Sequence, residues 1–173
     1  MDFKKFNNLF ELFELQKNKF QSNEFLHSIN NDKSINSLSW LHISEKIELL
    51  ANFLKEQKVQ KGDRIMLVSE GRPEWMISDL AILVNGAITV PNYTTYTQKD
   101  FEFILNDCEP VGLIVSNEKF YKTILNASKV INFNFKFIIS FDELNNIQNI
   151  KNIKNQNHKN INCNATRKDP ACI

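Results

Sequence analysis

Over residues 3–20, apolar side chains recur at Phe6, Leu9, Phe10, Phe13 and, more loosely, Phe20. Spacings of three and four put them on one helical face, which predicts an amphipathic helix packed on a larger body. Residues 24–29 and 35–40 are strand-like and flank the turn-forming Asn30-Asn31-Asp32-Lys33, so a small hairpin is predicted. A second helix follows, with Ile43, Ile47, Leu50 and Leu54 in one stripe, Phe53 widening it, and Glu45, Lys46 and Glu48 facing away. It should end near Lys58, where Gln60-Lys61-Gly62-Asp63 turns the chain into the apolar run of residues 64–69. Unbroken runs of this kind belong to strands covered on both faces.

The alternation then repeats. Pro73 suits a first helical turn and Glu74 the positive end of the helix dipole. Residues 75–84 are apolar nearly all round, and Asn85-Gly86 supplies a stop. Residues 87–90 form a short predicted strand closed by Pro91. Thr97-Gln98-Lys99-Asp100 resembles a capping box ahead of the stripe Phe101, Ile104, Leu105 and Cys108, and Pro110 ends that helix. A buried strand is expected at 111–115, a helix marked by Phe120, Ile124, Ala127 and Ile131, and a strand at 136–140. Strands and helices alternating in this way make βαβ units with right-handed crossovers, so the class is α/β with a largely parallel sheet flanked by helices. Residues 145–164 differ: nine of the twenty are Asn. A polar linker is the preferred reading there, and a short, poorly favoured helix through Ile147, Ile150 and Ile153 the other. Residues 166–173 run from a polar turn into three apolar positions, the pattern of a strand that has only begun and of a chain that has been cut.

Composition narrows the function. At 173 residues the chain suits one domain, and 42% hydrophobic with 24% charged residues is a globular balance. A net charge of +1 gives no field to draw it onto nucleic acid or an anionic bilayer. No apolar run is long enough to span a membrane, and the N-terminus lacks a signal-peptide core, so a cytoplasmic location is expected. Cys108, Cys163 and Cys172 are an odd number without CxxC spacing, and His27, His42 and His158 are scattered, which disfavours a disulfide framework or a metal centre. Only four glycines occur, and no phosphate-cradling glycine motif is present.

Residues 61–75 read KGDRIMLVSEGRPEW, followed by Asp79-Leu80-Ala81-Ile82 and by Gly86-Ala87-Ile88-Thr89-Val90-Pro91-Asn92-Tyr93. These blocks, with residues 103–110 (FILNDCEP), resemble the N-terminal region of AMP-dependent acyl-CoA synthetases, the long-chain fatty-acid branch of the adenylate-forming superfamily above all. The likeness spans roughly residues 38–140; Gly71 departs from the Asn common in the family, and the Asn-rich stretch has no counterpart in the pattern. The resemblance implies a partial N-terminal subdomain over residues 1–144, a linker or insertion over 145–164, and over 165–173 the start of the strand that precedes the family's Ser/Thr/Gly-rich phosphate loop. It further implies ATP, Mg²⁺ and CoA as cofactors and a fatty acid as substrate of the complete enzyme. The phosphate loop and the catalytic lysine would lie past Ile173, so this chain is expected to hold no cofactor and to be inactive alone. Apolar surface left without cover is expected to drive self-association.

Among individual residues, Tyr93, Thr94, Thr95, Tyr96 and Thr97 follow a strand end, where open α/β sheets place ligands, and are the candidates for an acyl or pantetheine channel; Thr97 is the better helix cap. Arg72 reads as a brace for its turn through Glu70 or Glu74 rather than a phosphate contact, Trp40 and Trp75 as core, and Cys108 and Cys172 as inert filler. The acid pairs Glu45/Glu48 and Asp142/Glu143 read as solvated faces or caps. Two alternatives remain: a self-contained α/β module of the flavodoxin-like class binding a small ligand at the strand ends, and a degraded, non-catalytic gene product.

Overall fold

The computed structural model describes residues 6–30, 32–154 and 163–173. Strand β3 (Arg64–Val68) is the organising element: Ile65, Met66, Leu67 and Val68 are all fully buried. Alternate side chains point to opposite faces of a strand, so both faces of the sheet must be covered. Ile65 and Leu67 pack into a cluster with α1 (Leu9–Phe20), α2 (Trp40–Glu56) and α3 (Pro73–Val84). Met66 and Val68 pack into a second cluster with α4 (Gln98–Cys108) and α5 (Glu118–Val130). The domain is therefore a three-layer α/β sandwich.

The sheet runs β4 (Ile88–Asn92), β3, β5 (Gly112–Val115), β6 (Phe137–Ser140), β7 (Gln148–Asn149), all parallel. A separate antiparallel hairpin, β1 (Glu24–Ile29) with β2 (Ile35–Ser39), stands beside it. Trp40 holds the hairpin in place: its ring stacks on Phe25 at 3.6 Å between centroids and meets Phe13 at 5.5 Å and Phe20 at 5.8 Å. The expected α/β class, parallel sheet and hairpin are all present.

Local chemistry sets the helix ends. Asn8, Ser39 and Asn117 accept from backbone N–H groups in the first turns of α1, α2 and α5, Pro73 opens α3, and Asp100 accepts from the Thr97 N–H and hydroxyl, both at 2.7 Å. α3 and α2 are joined by buried Asn85, whose amide donates to the carbonyls of Ala51 and Ala81 at 3.0 Å each.

Four features differ from the sequence reading. The first helix begins at Leu9; residues 3–5 of the expected span lie outside the described residues. Pro91 lies within β4 rather than closing it. Thr89 bonds outward to residues 171 and 173, and residues two apart in a strand face the same way, so the Pro91 nitrogen, which has no proton to donate, also faces away from β3. Within the stretch expected as linker or helix, residues 148–149 pair with β6 and residues 150–152 form a single 3₁₀ turn that seats buried Ile153 in the core. Asn supplies the turn here, as the Asn149 side chain caps the 3₁₀ segment and donates to the Phe141 carbonyl; residues 155–162 lie outside the described residues. Finally, residues 171–173 do run beside β4, but Cys172 is exposed rather than filler, because nothing covers that outer edge among the described residues.

Gly112 marks a close approach in the core, the tightest at any of the four glycines. A Cβ there would lie 2.1–2.6 Å from the Phe137 ring, which in turn meets Phe53 of α2 edge-on at 6.5 Å. Gly112→Ala should cost about 2–3 kcal/mol by overpacking, read as a lower urea midpoint at unchanged slope. Adding Phe137→Leu should recover part of the loss, whereas a neutral Gly112→Ala would show that the contact relaxes freely.

Candidate functional site

In open parallel sheets the carboxyl ends of the strands collect the loops, and ligands bind where neighbouring strands depart in opposite directions. That switch point lies between β3 and β5, because the chain moves outward to β4 and then crosses back to β5. The segments meeting there carry Glu70 and Arg72 on the loop after β3 and Glu74 in the first turn of α3, Ser116 and Asn117 after β5, and Asp142 after β6.

These groups satisfy one another. The Ser116 hydroxyl donates to one Glu70 carboxylate oxygen at 2.6 Å, and the Asn117 amide donates to the other at 2.8 Å. Ser116 is fully buried, so Glu70 supplies the partner that water cannot. Arg72 donates to Asp142 at 2.9 Å and to Glu74 at 3.4 Å, with its guanidinium 5.4 Å from the Phe141 ring centre. Burial pulls the Arg72 pKa down, but the Asp142 hydrogen bond and the charges of Glu74 and Asp142 carry it above its ordinary value. The turn is thus braced through Glu74 and Asp142; Glu70, the other expected partner, bridges to β5 instead. Asp142 is accordingly no free cap.

A triphosphate needs converging N–H donors and surplus positive charge. Here the one guanidinium, that of Arg72, is already paired with Glu74 and Asp142, the Glu70 carboxylate is held by Ser116 and Asn117, and no glycine-rich cradle is present. Among the described residues no group of three His, Cys, Asp or Glu side chains is placed to hold a metal ion. The residues present do not fit Mg²⁺-ATP.

The channel candidates form the loop between β4 and α4. Tyr93 is 72% exposed, Tyr96 is half-buried with its ring edge-on to Phe101 and Tyr93, and Thr94 is half-buried between exposed neighbours. Thr95 is exposed, and Thr97 is the N-cap residue of α4. A cleft of about 970 Å³ lies instead between the hairpin, α2 and the start of α3, lined by Leu38, Lys46, Arg72, Ile77, Asp142 and Lys151 among others. A smaller one of about 320 Å³ separates the start of α1 from residues 163–171. Neither takes in residues 93–97.

The remaining reactive groups are quiet. Cys108 and Cys163 are half-buried, and burial pushes both thiols up, away from thiolate chemistry. His27 bonds to Ser37 across the hairpin, His42 is exposed, and His158 lies outside the described residues. Glu45 and Glu48 lie on the exposed face of α2, and Trp40 and Trp75 are half-buried against the core. Sequence spacing did not reveal the Glu70–Ser116–Asn117 bridge, whose members stand 46 and 47 positions apart; its one signal was a pair of polar residues after each of two buried strands, Ser69-Glu70 and Ser116-Asn117.

Asp79 of α3 is half-buried and accepts from the fully buried Thr89 hydroxyl at 2.7 Å. Burial raises its pKa, partly offset by that hydrogen bond. A carboxyl with a raised folded pKa favours the folded state below its unfolded pKa, and this contribution is lost as pH rises through the folded value. Asp79→Asn keeps an acceptor for Thr89 and abolishes the titration. Its stability relative to the parent should therefore grow between about pH 3 and pH 7; a constant difference in denaturation midpoint across that range would contradict the burial cost.

Comparison with known proteins agrees with this architecture. The family model described as AMP-binding enzyme matches residues 13–173. The long-chain-fatty-acid–CoA ligase FadD15 of Mycobacterium tuberculosis is 43% identical over 60 residues, which is 35% of this chain and 10% of that protein. Long chain acyl-CoA synthetase 2 of Arabidopsis thaliana is 26% identical over 142 residues, 80% of this chain and 21% of its own length. The chain thus spans between a tenth and about a fifth of these relatives. The crystal structure of the anthranilate CoA ligase AuaEII with anthranoyl-AMP superposes with a TM-score of 0.79 at 21% identity, covering 95% of this chain and 30% of that one, a likeness of fold.

Proposed function

The chain belongs to the AMP-binding enzyme family, and from that premise we propose that it is the amino-terminal scaffold of an ATP-dependent acyl-CoA synthetase acting on long-chain fatty acids. Its parallel sheet, flanking helices and hairpin are those of the N-terminal subdomain of the adenylate-forming fold. The complete enzyme would join a fatty acid to CoA with conversion of ATP to AMP and pyrophosphate. The long-chain assignment rests on the names of two relatives, FadD15 and the Arabidopsis synthetase.

One observation carries the proposal that this chain does not adenylate unaided. The polar groups at the switch point are already paired: the Glu70 carboxylate bridges β3 to β5, and Arg72 is held by Glu74 and Asp142. No step through ATP, Mg²⁺ or CoA is assigned to these residues, and those cofactors belong to the complete enzyme. Residues 1–144 would be the scaffold, 145–164 an insertion whose first part is docked on the sheet, and 165–173 the strand leading toward a phosphate loop. Tyr93, Thr94, Thr95, Tyr96 and Thr97 would line an acyl or pantetheine channel, for which their place after β4 and the exposure of Tyr93 speak. No helix among the described residues is long and apolar enough to cross a membrane; a cytoplasmic site of action is part of the same proposal.

The test is an adenylation assay on the 173-residue chain with ATP, Mg²⁺ and long-chain fatty acids. Pyrophosphate release should stay at background. Turnover above it, lost on Glu70→Ala, would place chemistry in this chain and overturn the scaffold reading.

A further inference from the structure

Residues 163–173 cross the domain as a strap. Asn164 N–H donates to the Val84 carbonyl at 3.0 Å, and the Asn8 amide donates to the Ala165 carbonyl at 2.9 Å. The Arg167 guanidinium donates to the Phe6 carbonyl. The strap ends by pairing with the outer edge of β4, where Thr89 N–H donates to the Ala171 carbonyl at 3.0 Å and Ile173 N–H to the Thr89 carbonyl at 3.2 Å. Among the described residues one ion pair holds it, Lys61 to Asp169 at 2.6 Å.

Both partners of that pair are fixed before they meet. Asp169 accepts from its own turn, from the Thr166 N–H at 2.7 Å and the Thr166 hydroxyl at 2.9 Å. Lys61 sits in a tight turn in which Asp63 accepts from Gln60 N–H at 2.8 Å and Gly62 N–H donates to the Gly86 carbonyl at 2.8 Å. Its aliphatic stem lies over Gly86: a Cβ added there would come within 3.1 Å of Lys61 Cγ and 3.5 Å of Asn164 Cβ. Gly86 also has φ +70°, so a glycine is needed there twice over. The ammonium, directed by that slot, reaches the Asn164 carbonyl at 3.3 Å as well as Asp169. Little side-chain entropy remains to be lost when the pair forms, which moves a half-exposed ion pair toward the strong end of its range.

We propose that Lys61 is the positioning residue for the edge strand, a latch that sets residues 171–173 in parallel register on β4 and whose loss frees the strap as a unit. The latch itself lies in the turn before β3, and the strap's other contacts are with the start of α1, the end of α3, where Cys163 packs against the core, and the outer edge of β4, so the β3–β5 pairing on the far side of β3 should not sense the release.

Native-state hydrogen exchange followed by NMR reads this residue by residue. Lys61→Met keeps the stem over Gly86 and removes the charge. Exchange at Thr89 and Ile173 should rise about fivefold, while Val111 N–H, bonded to the Arg64 carbonyl inside the sheet, should not change. Asp169→Asn should free the same two amides from the other side, and Lys61→Arg should retain their protection. Unchanged exchange at Thr89 and Ile173 in both charge-removing variants would overturn the proposal. So would an equal rise at Val111, which would mean global destabilisation rather than a latch.

Discussion

Burial of β3 on both faces is the constraint from which the rest of the domain follows. Four successive residues of that strand are closed to water, so helices must lie above and below it and parallel neighbours must flank it. The amphipathic stripes of α1 and α2 and the largely buried α3 answer one face, and the stripes of α4 and α5 the other. Where two layers press closest, the sheet gives up a side chain altogether: Gly112 lets the Phe137 ring lie against the backbone, and Phe53 of α2 closes over it.

The same constraint leaves the strand ends as the place where polar groups converge. In this chain they are spent on each other. Glu70 joins the ends of β3 and β5 through Ser116 and Asn117, and Arg72 joins the start of α3 to the end of β6 through Asp142. Both bridges tie neighbouring strand-end segments to one another. A strand order suited to a ligand is therefore combined with strand ends whose polar groups are satisfied by one another.

Much of the fold was legible because its cues are local. Pro73 and Glu74 open α3, Thr97 and Asp100 open α4, Pro110 closes it, and the apolar runs of β3 and β5 need no tertiary knowledge to be read as buried strands. The misread features depend on what lies across the sheet. Pro91 fits inside β4 because its nitrogen faces away from β3, a property of pairing rather than of sequence. Residues 148–153 are Asn-rich and still dock, since Ile153 finds the core and Asn149 supplies the turn. The site was the less legible part. Residues 93–97 follow a strand end as expected, but the bridge at the switch point joins side chains more than forty positions apart, visible only once β3 and β5 are known to be neighbours.

We propose that this subdomain is a scaffold whose strand-end polar groups are satisfied by one another. Calorimetric titration of the chain with Mg²⁺-ATP tests it directly. No saturable heat is expected up to millimolar nucleotide, in keeping with a single guanidinium already paired with two carboxylates. Saturable one-to-one binding by this chain alone would contradict it.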